Sequence, residues 1–170
     1  MLSNDADLAE QVRSLRHWGQ RDRYYHDQLG FNYRMDAMQA AILRVKLKKL
    51  AEWTDGRIRV AQRYNEGFAQ SDVLTPFTAA DRKHVYHIYA VRIPNRDRLH
   101  EHLNSLQMGS GIHYPIPLHL QKCMQHLNYE KGDFPLSELV ASQVLSLPIY
   151  AELSESDQDA VIAAVLEFVG

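Results

Sequence analysis

The sequence predicts an α+β fold: a long helix followed by a small, mainly antiparallel sheet covered by helices. Three observations lead there. Apolar residues recur at steps of three and four from Met38 to Phe68, the period of a helix face. The run His84 to Ile93 is rich in β-branched and aromatic residues and reads as a strand. Helical patterns then alternate with short extended pieces over the rest of the chain.

Each element has its own signals. Asp5 to about Trp18 reads as a short amphipathic helix, with Leu8, Val12 and Leu15 at helical spacing and Asn4 or Asp5 as the cap. Met1 and Leu2 read as a strand end passing into that cap. Gly19 to Gly30 is polar and rich in Arg and Tyr, and is expected to be a loop. Asp36 stands at the start of the long helix. Its stripe of Met38, Ala41, Ile42, Val45, Leu50 and Trp53 resumes through Ile58, Ala61, Tyr64 and Phe68. One helix is expected, bent near Gly56 and ended before Pro76.

On the strand, Tyr86 and Ile88 would face one way, and Val85, His87 and Tyr89 the other. His87 reads as a hydrogen-bonded core histidine. Pro94-Asn95 is a turn, and Arg96 to Gln107 a helix with Leu99, Leu103 and Leu106 on one face. Gly109 to Gly111 breaks it. Ile112-His113-Tyr114 begins a short strand that Pro115 and Pro117 end. Pro135 to Val144 is a helix with proline in its first turn, and Leu145 to Pro148 is extended. Ser154, with Asp157 three residues on, caps the last helix, which turns Ile162, Val165 and Phe168 inward.

A chain of 170 residues can bury a core and form one domain, or one small domain plus a piece of another. Its 45% apolar and 24% charged content reads as soluble and globular. A formal net charge of −2 gives no general attraction to nucleic acid or anionic membrane. No apolar run of membrane-spanning length and no signal-peptide pattern is visible, so the simplest reading is cytoplasmic. Cys123 stands alone, which excludes an intrachain disulfide. No H-E-x-x-H, paired-Cys, G-x-S-x-G or P-loop pattern is present, and no metal is expected.

Two stretches carry chemistry. Asn32 offers two amide donors and Arg34 a fork of five, a set suited to an anion. Standing two apart in a loop, they would converge only if the backbone turned between them. Spacing alone leaves open a polar loop with Asn32 in a left-handed conformation and Arg34 in a surface salt bridge. The second stretch, His113-Tyr114-Pro115-Ile116-Pro117-Leu118-His119-Leu120-Gln121, is stiffened by two prolines and bears two imidazoles and a phenol. Read alone, it is rather a proline-rich connector with exposed histidines.

Both stretches resemble a known family. The pattern G-x-N-x-R-M-D-x-x-Q-A-A from Gly30 to Ala41, the H-Y-P-x-P-x-H-x-Q segment from His113 and the H-x-Y-H-x-Y run from His84 are similar to motifs of the DegT/DnrJ/StrS sugar aminotransferases. These are pyridoxal-phosphate (PLP) enzymes of fold type I. Leu2 to Ala9 resembles the segment after the family's PLP-lysine strand, and Pro148 with the helix after it the family's C-terminal end. The resemblance therefore implies a C-terminal portion. Residues 1–29 would border a large PLP domain, and residues 30–170 would form the small domain with its connecting helix.

By the same resemblance, Asn32 and Arg34 are cofactor-binding residues, with Asn32 reaching the PLP phosphate of the other subunit of a homodimer. His113, Tyr114 and His119 are expected to contact a sugar-nucleotide substrate. The implied reaction moves an amino group, with glutamate as donor, to a keto-sugar nucleotide. The family's lysine and the carboxylate that pairs with the pyridine nitrogen come from the large domain. Lys46, Lys48, Lys49, Lys83, Lys122 and Lys131 do not lie in such a context, so no catalytic residue is assigned and the chain alone is expected to be inactive. The alternatives are a non-enzymatic remnant or dimerisation module and, within the family, a PLP-dependent sugar dehydratase.

Overall fold

The structure is a computed structural model that describes residues 3–170. The expected strand end at Met1 and Leu2 lies outside the described residues. The chain forms two compact units, Met1–Lys49 and Leu50–Gly170.

In the first unit, α1 (Ala6–Leu15) starts at Asp5, whose side chain accepts the Leu8 N–H at 3.0 Å. The expected loop at residues 19–30 contains a hairpin of β1 (Gln20–Asp22) and β2 (Tyr25–His26). Tyr24 takes a positive φ of 74° at its turn. The strands are exposed nearly throughout, so no alternation of apolar and polar residues marks them in the sequence.

Gly30 closes the base of this hairpin. A Cβ there would stand 2.1 Å from the Gly19 amide nitrogen, so only glycine lets the two backbones meet. Residues 31–33 then run beside residues 15–18. Phe31 donates its N–H to the Leu15 carbonyl at 2.6 Å, Trp18 to Phe31 at 2.9 Å and Tyr33 to Arg16 at 2.9 Å. Helix α2 (Ala37–Leu47) begins with a full capping box. Asp36 accepts from the helix start, and Gln39 Oε1 accepts the Asp36 N–H at 3.2 Å. No residue of α2 is buried.

The expected single helix is two. At Lys48 and Lys49 the amides reach only three residues back, to the Val45 and Lys46 carbonyls, a tightened end to α2. Helix α3 (Leu50–Phe68) then runs through Gly56, so the break falls at the lysine pair and not at the glycine.

In the second unit, β3 (Tyr89–Arg92) pairs antiparallel with β4 (Val144–Leu147), from Tyr89 opposite Leu147 to Arg92 opposite Val144. Single bridges widen the pair, Leu74 beside Arg92 and Gly111 beside Ser146. Helix α3 supplies Val60, Ala61, Tyr64 and Phe68 to the core, α4 (Arg96–Ser105) supplies Leu99 and Leu103, and α6 (Glu155–Val169) supplies Val161, Ala164 and Val165. Helix α5 (Pro135–Gln143) leads directly into β4. Ser154 caps α6 by accepting the Asp157 N–H at 3.1 Å, as its spacing predicts.

The expected strand from His84 is shorter than its composition predicts. Tyr86 has φ 47°, which strand geometry does not allow, so regular pairing begins only at Tyr89. His87 is exposed and is not a core histidine. The segment is held through its backbone instead: Arg57 Nη1 donates to the Tyr86, His87 and Ile149 carbonyls at 3.2, 3.1 and 2.9 Å. The expected strand at Ile112 to Tyr114 is reduced to the single bridge at Gly111, because prolines follow at once.

Buried tyrosines tie the core together. Tyr64 donates to the Pro148 carbonyl at 3.0 Å and Tyr89 to Asn65 Oδ1 at 2.6 Å, and burial pushes both phenols' pKa up, so both stay donors. The one buried cation is Arg96 among the described residues, its side chain 5% exposed. It donates to the Val144 carbonyl at 2.7 Å and the Ala141 carbonyl at 3.0 Å, which joins α4 to the α5–β4 turn. Its Nε lies 2.7 Å from Asp97 Oδ1, an ion pair without the alignment of a hydrogen bond. Arg96→Met keeps the stem and removes both carbonyl bonds. It is expected to lower the unfolding free energy by about 3 kcal/mol. Urea denaturation checks this, and a loss below about 0.5 kcal/mol, the range of an ordinary surface change, would contradict it.

Candidate functional site

The residues singled out from the sequence fall into two groups, one in each unit. In the first unit Asn32 lies on an extended backbone, bridged to His17. Successive side chains of an extended chain point to opposite sides. Phe31 and Tyr33 therefore stack on each other, their ring centroids 4.9 Å apart, while Asn32 and Arg34 meet: Arg34 Nε donates to Asn32 Oδ1 at 3.1 Å. The convergence needs no turn between them, and Asn32 is not in a left-handed conformation.

Trp18 is the residue that sequence reasoning missed here. The Arg34 guanidinium lies 4.1 Å from the Trp18 ring centroid, a cation–π contact that favours its place there. With Asn32 Oδ1 taken by Arg34, the Asn32 amide hydrogens and the terminal nitrogens of Arg34 are left to donate. Arg34 also lines a cleft of about 450 Å³ together with Trp18, Arg21, Asp22, Arg23 and Tyr24, so three guanidiniums face one carboxylate there. Three guanidiniums around one cleft suit an anionic group such as phosphate. Nothing in the local sequence pairs Trp18 with Arg34, because they meet only through the fold-back of residues 31–33.

In the second unit, His113, Tyr114 and His119 line one cavity of about 880 Å³. One wall is the proline-stiffened segment from His113 to Gln121; the other is Phe134 with Leu136, Ser137, Val140, Ala141 and Val144. No lining residue is Lys or Arg. His113 Nδ1 is hydrogen-bonded to the Oγ of buried Ser146 at 3.0 Å, which fastens the start of the segment to β4. Tyr114 is 73% exposed and its phenol is open to solvent. His119 Nε2 lies 3.1 Å from Glu138 Oε1, with the two side chains 7% and 16% exposed.

Glu138 was not visible as a site residue in the sequence. Its place four residues into α5 announces only a favourable charge near a helix N-terminus. In the fold it accepts the Gly132 N–H at 2.7 Å, and this bond, ahead of the His119 contact, holds its pKa below the ordinary carboxylate value. Gly132 has φ +103°, a conformation that side chains rarely adopt, so the turn that aims this N–H needs glycine. Among the described residues no three His, Cys, Asp or Glu gather as a metal site, and no helix is long and apolar enough to cross a membrane. Cys123 is exposed.

Comparison with known proteins matches this fold. The chain is 40% identical over 171 residues to a pleiotropic regulatory protein of Geobacillus stearothermophilus, covering 99% of this chain and 46% of that protein. It is 38% identical to the dTDP-3-amino-3,4,6-trideoxy-alpha-D-glucose transaminase of Streptomyces venezuelae, covering 99% of this chain and 45% of the relative. Among solved structures, S. venezuelae DesV superposes with a TM-score of 0.91 at 38% identity, covering 99% of this chain and 46% of that one. An aminotransferase from Brucella abortus superposes with a TM-score of 0.87 at 37% identity, covering 99% and 45%. The chain thus spans about half the length of the curated relatives it matches. A family model aligns with residues 1–166, and the chain belongs to the DegT/DnrJ/EryC1/StrS aminotransferase family.

Proposed function

We propose that this chain supplies the C-terminal portion of a PLP-dependent aminotransferase. The substrate is a keto-sugar nucleotide, the amino donor is glutamate, and the product serves amino-sugar or surface polysaccharide biosynthesis. The observation that carries this reading is the pairing of Asn32 and Arg34 on one side of an extended segment, with Arg34 also lining a cleft beside Arg21 and Arg23. The nucleotide-sugar transaminases among the relatives support the substrate class.

The donors present fit a phosphate, and PLP bears one. Asn32 and Arg34 would hold it, with the Trp18 ring against the guanidinium. When bound, PLP supplies the electron sink that lets an amino group leave one carbon and join another. The roles left to this chain are binding and orientation. His113, Tyr114 and His119 contact the substrate from a cavity with mainly apolar walls. None of the six lysines lies in a context like the family's lysine loop, so this chain does not transaminate by itself. The apolar exposed residues Met38, Ile42, Val45 and Leu47 of α2 support pairing with a second copy, in line with a homodimer.

Three outcomes test the reading. With a lysine-bearing N-terminal half supplied, PLP binds with its visible absorbance, and Asn32→Ala weakens that binding by about tenfold, the loss of one charged hydrogen bond. An unchanged affinity would remove Asn32 from the site. The purified chain alone shows no turnover with glutamate and a keto-sugar nucleotide; measurable turnover would refute the assignment of the lysine elsewhere. The third is a pH effect. Glu138 has a depressed folded pKa, so its contribution to stability is full above the ordinary carboxylate range and is lost as pH falls through the depressed value. A carboxyl NMR titration should place its midpoint below that of exposed glutamates, and a midpoint at or above theirs would contradict the Gly132 bond.

A further inference from the structure

Glu138 does not line the cavity, yet it ties His119 of the cavity wall to the Gly132 turn that precedes the opposite wall. A single oxygen, Oε1, accepts the Gly132 N–H at 2.7 Å and lies 3.1 Å from His119 Nε2. His119 opens the excursion that passes through the 3₁₀ turns Leu118–Leu120 and Lys122–Leu127, and Gly132 closes it. The excursion has no strand or α-helix of its own. The carboxylate on α5 is therefore its clasp; the His119 and Glu138 side chains are largely shielded from competing water, while Gly132 is exposed.

The chemistry of the clasp fixes the proton on His119. An ionised carboxylate only accepts hydrogen bonds, and the lowered pKa keeps Glu138 ionised. The nitrogen facing it, Nε2, must then carry the hydrogen. In the neutral ring the other nitrogen, Nδ1, is left as a lone-pair acceptor. Phe134 packs on the same imidazole, ring centroids 4.9 Å apart, and limits its rotation.

We propose that Glu138 is a positioning residue that locks His119 as its Nε2–H tautomer, so that His119 meets a ligand as an acceptor at Nδ1. The ligand group it takes is a hydrogen-bond donor, a sugar hydroxyl or a base N–H, and not a phosphate. The cavity agrees, since none of its lining residues is a cation. This ligand assignment rests on the reading of the cavity as a substrate pocket, whereas the tautomer lock does not.

The experiment is side-chain ¹⁵N NMR of the 170-residue chain in mildly alkaline buffer, with amide exchange at Gly132. Wild-type His119 should show a protonated Nε2 and an unprotonated Nδ1, and the Gly132 amide should exchange slowly. In Glu138→Ala the single tautomer is lost and Gly132 exchanges about tenfold faster or more. Glu138→Gln keeps an acceptor oxygen and restores both. An Nδ1–H tautomer in the wild type, which needs no variant to fold, would overturn the lock; so would a tautomer and exchange rate unchanged in Glu138→Ala.

Two probes test the ligand class. UDP-N-acetylglucosamine should shift the His119 Nδ1 resonance, and inorganic pyrophosphate should not. An equal shift with pyrophosphate would overturn the donor preference. No shift with either, the tautomer being as stated, would overturn the pocket's substrate role while the positioning role of Glu138 stood.

Discussion

Every residue of β4 is buried, and that constraint organises the second unit. A strand sends alternate side chains to opposite faces. Burial of all four therefore requires cover on both faces of a sheet only two full strands wide. Helices α3, α4 and α6 bring the apolar residues of the main core, while Gly111 and the segment after it add a bridge along the free edge at Ser146. Arg96 serves the same end. The carbonyls it satisfies lie where α5 becomes β4, so the strand enters the core without stranding polar backbone.

From that strand the cavity inherits its geometry. Ser146 exchanges backbone bonds with Gly111 and offers its hydroxyl to His113, so the residue that completes the sheet also sets where the cavity wall begins. The two candidate groups differ in kind. Asn32, Arg34 and the arginines of the hairpin form a set of donors, suited to an anion held by charge. The cavity of the second unit has apolar walls with a few polar groups, suited to the less charged part of a ligand.

Much of this was legible in the sequence, for identifiable reasons. The caps at Asp36, Asp5 and Ser154 depend on neighbours within three residues, and each is where its signature placed it. Features set by distant partners were not legible. The strand at His84 was overextended because composition cannot reveal that Tyr86 takes a positive φ and that Arg57 captures the backbone instead. The hairpin at residues 20–26 was missed because its strands are exposed and lack periodicity. Asn32 and Arg34 were named from their chemistry, but their meeting depends on an extended pairing with residues 15–18. Glu138 depends on one partner six residues back and another nineteen residues back, and only the fold brings them to one oxygen.

The cavity wall from His113 to Phe134 is tied to its surroundings by a few side-chain bonds, chiefly at Ser146 and Glu138, while the core is built by other residues. The segment from His113 to Gln121 thus contributes one cavity wall but, among the described residues, no buried core residue. Substitutions at Ile116, Leu118 or Gln121 can reshape the wall without disturbing β3, β4 or the helices on them. The shape of the cavity can therefore change by rewriting a short irregular segment between two fixed anchor points.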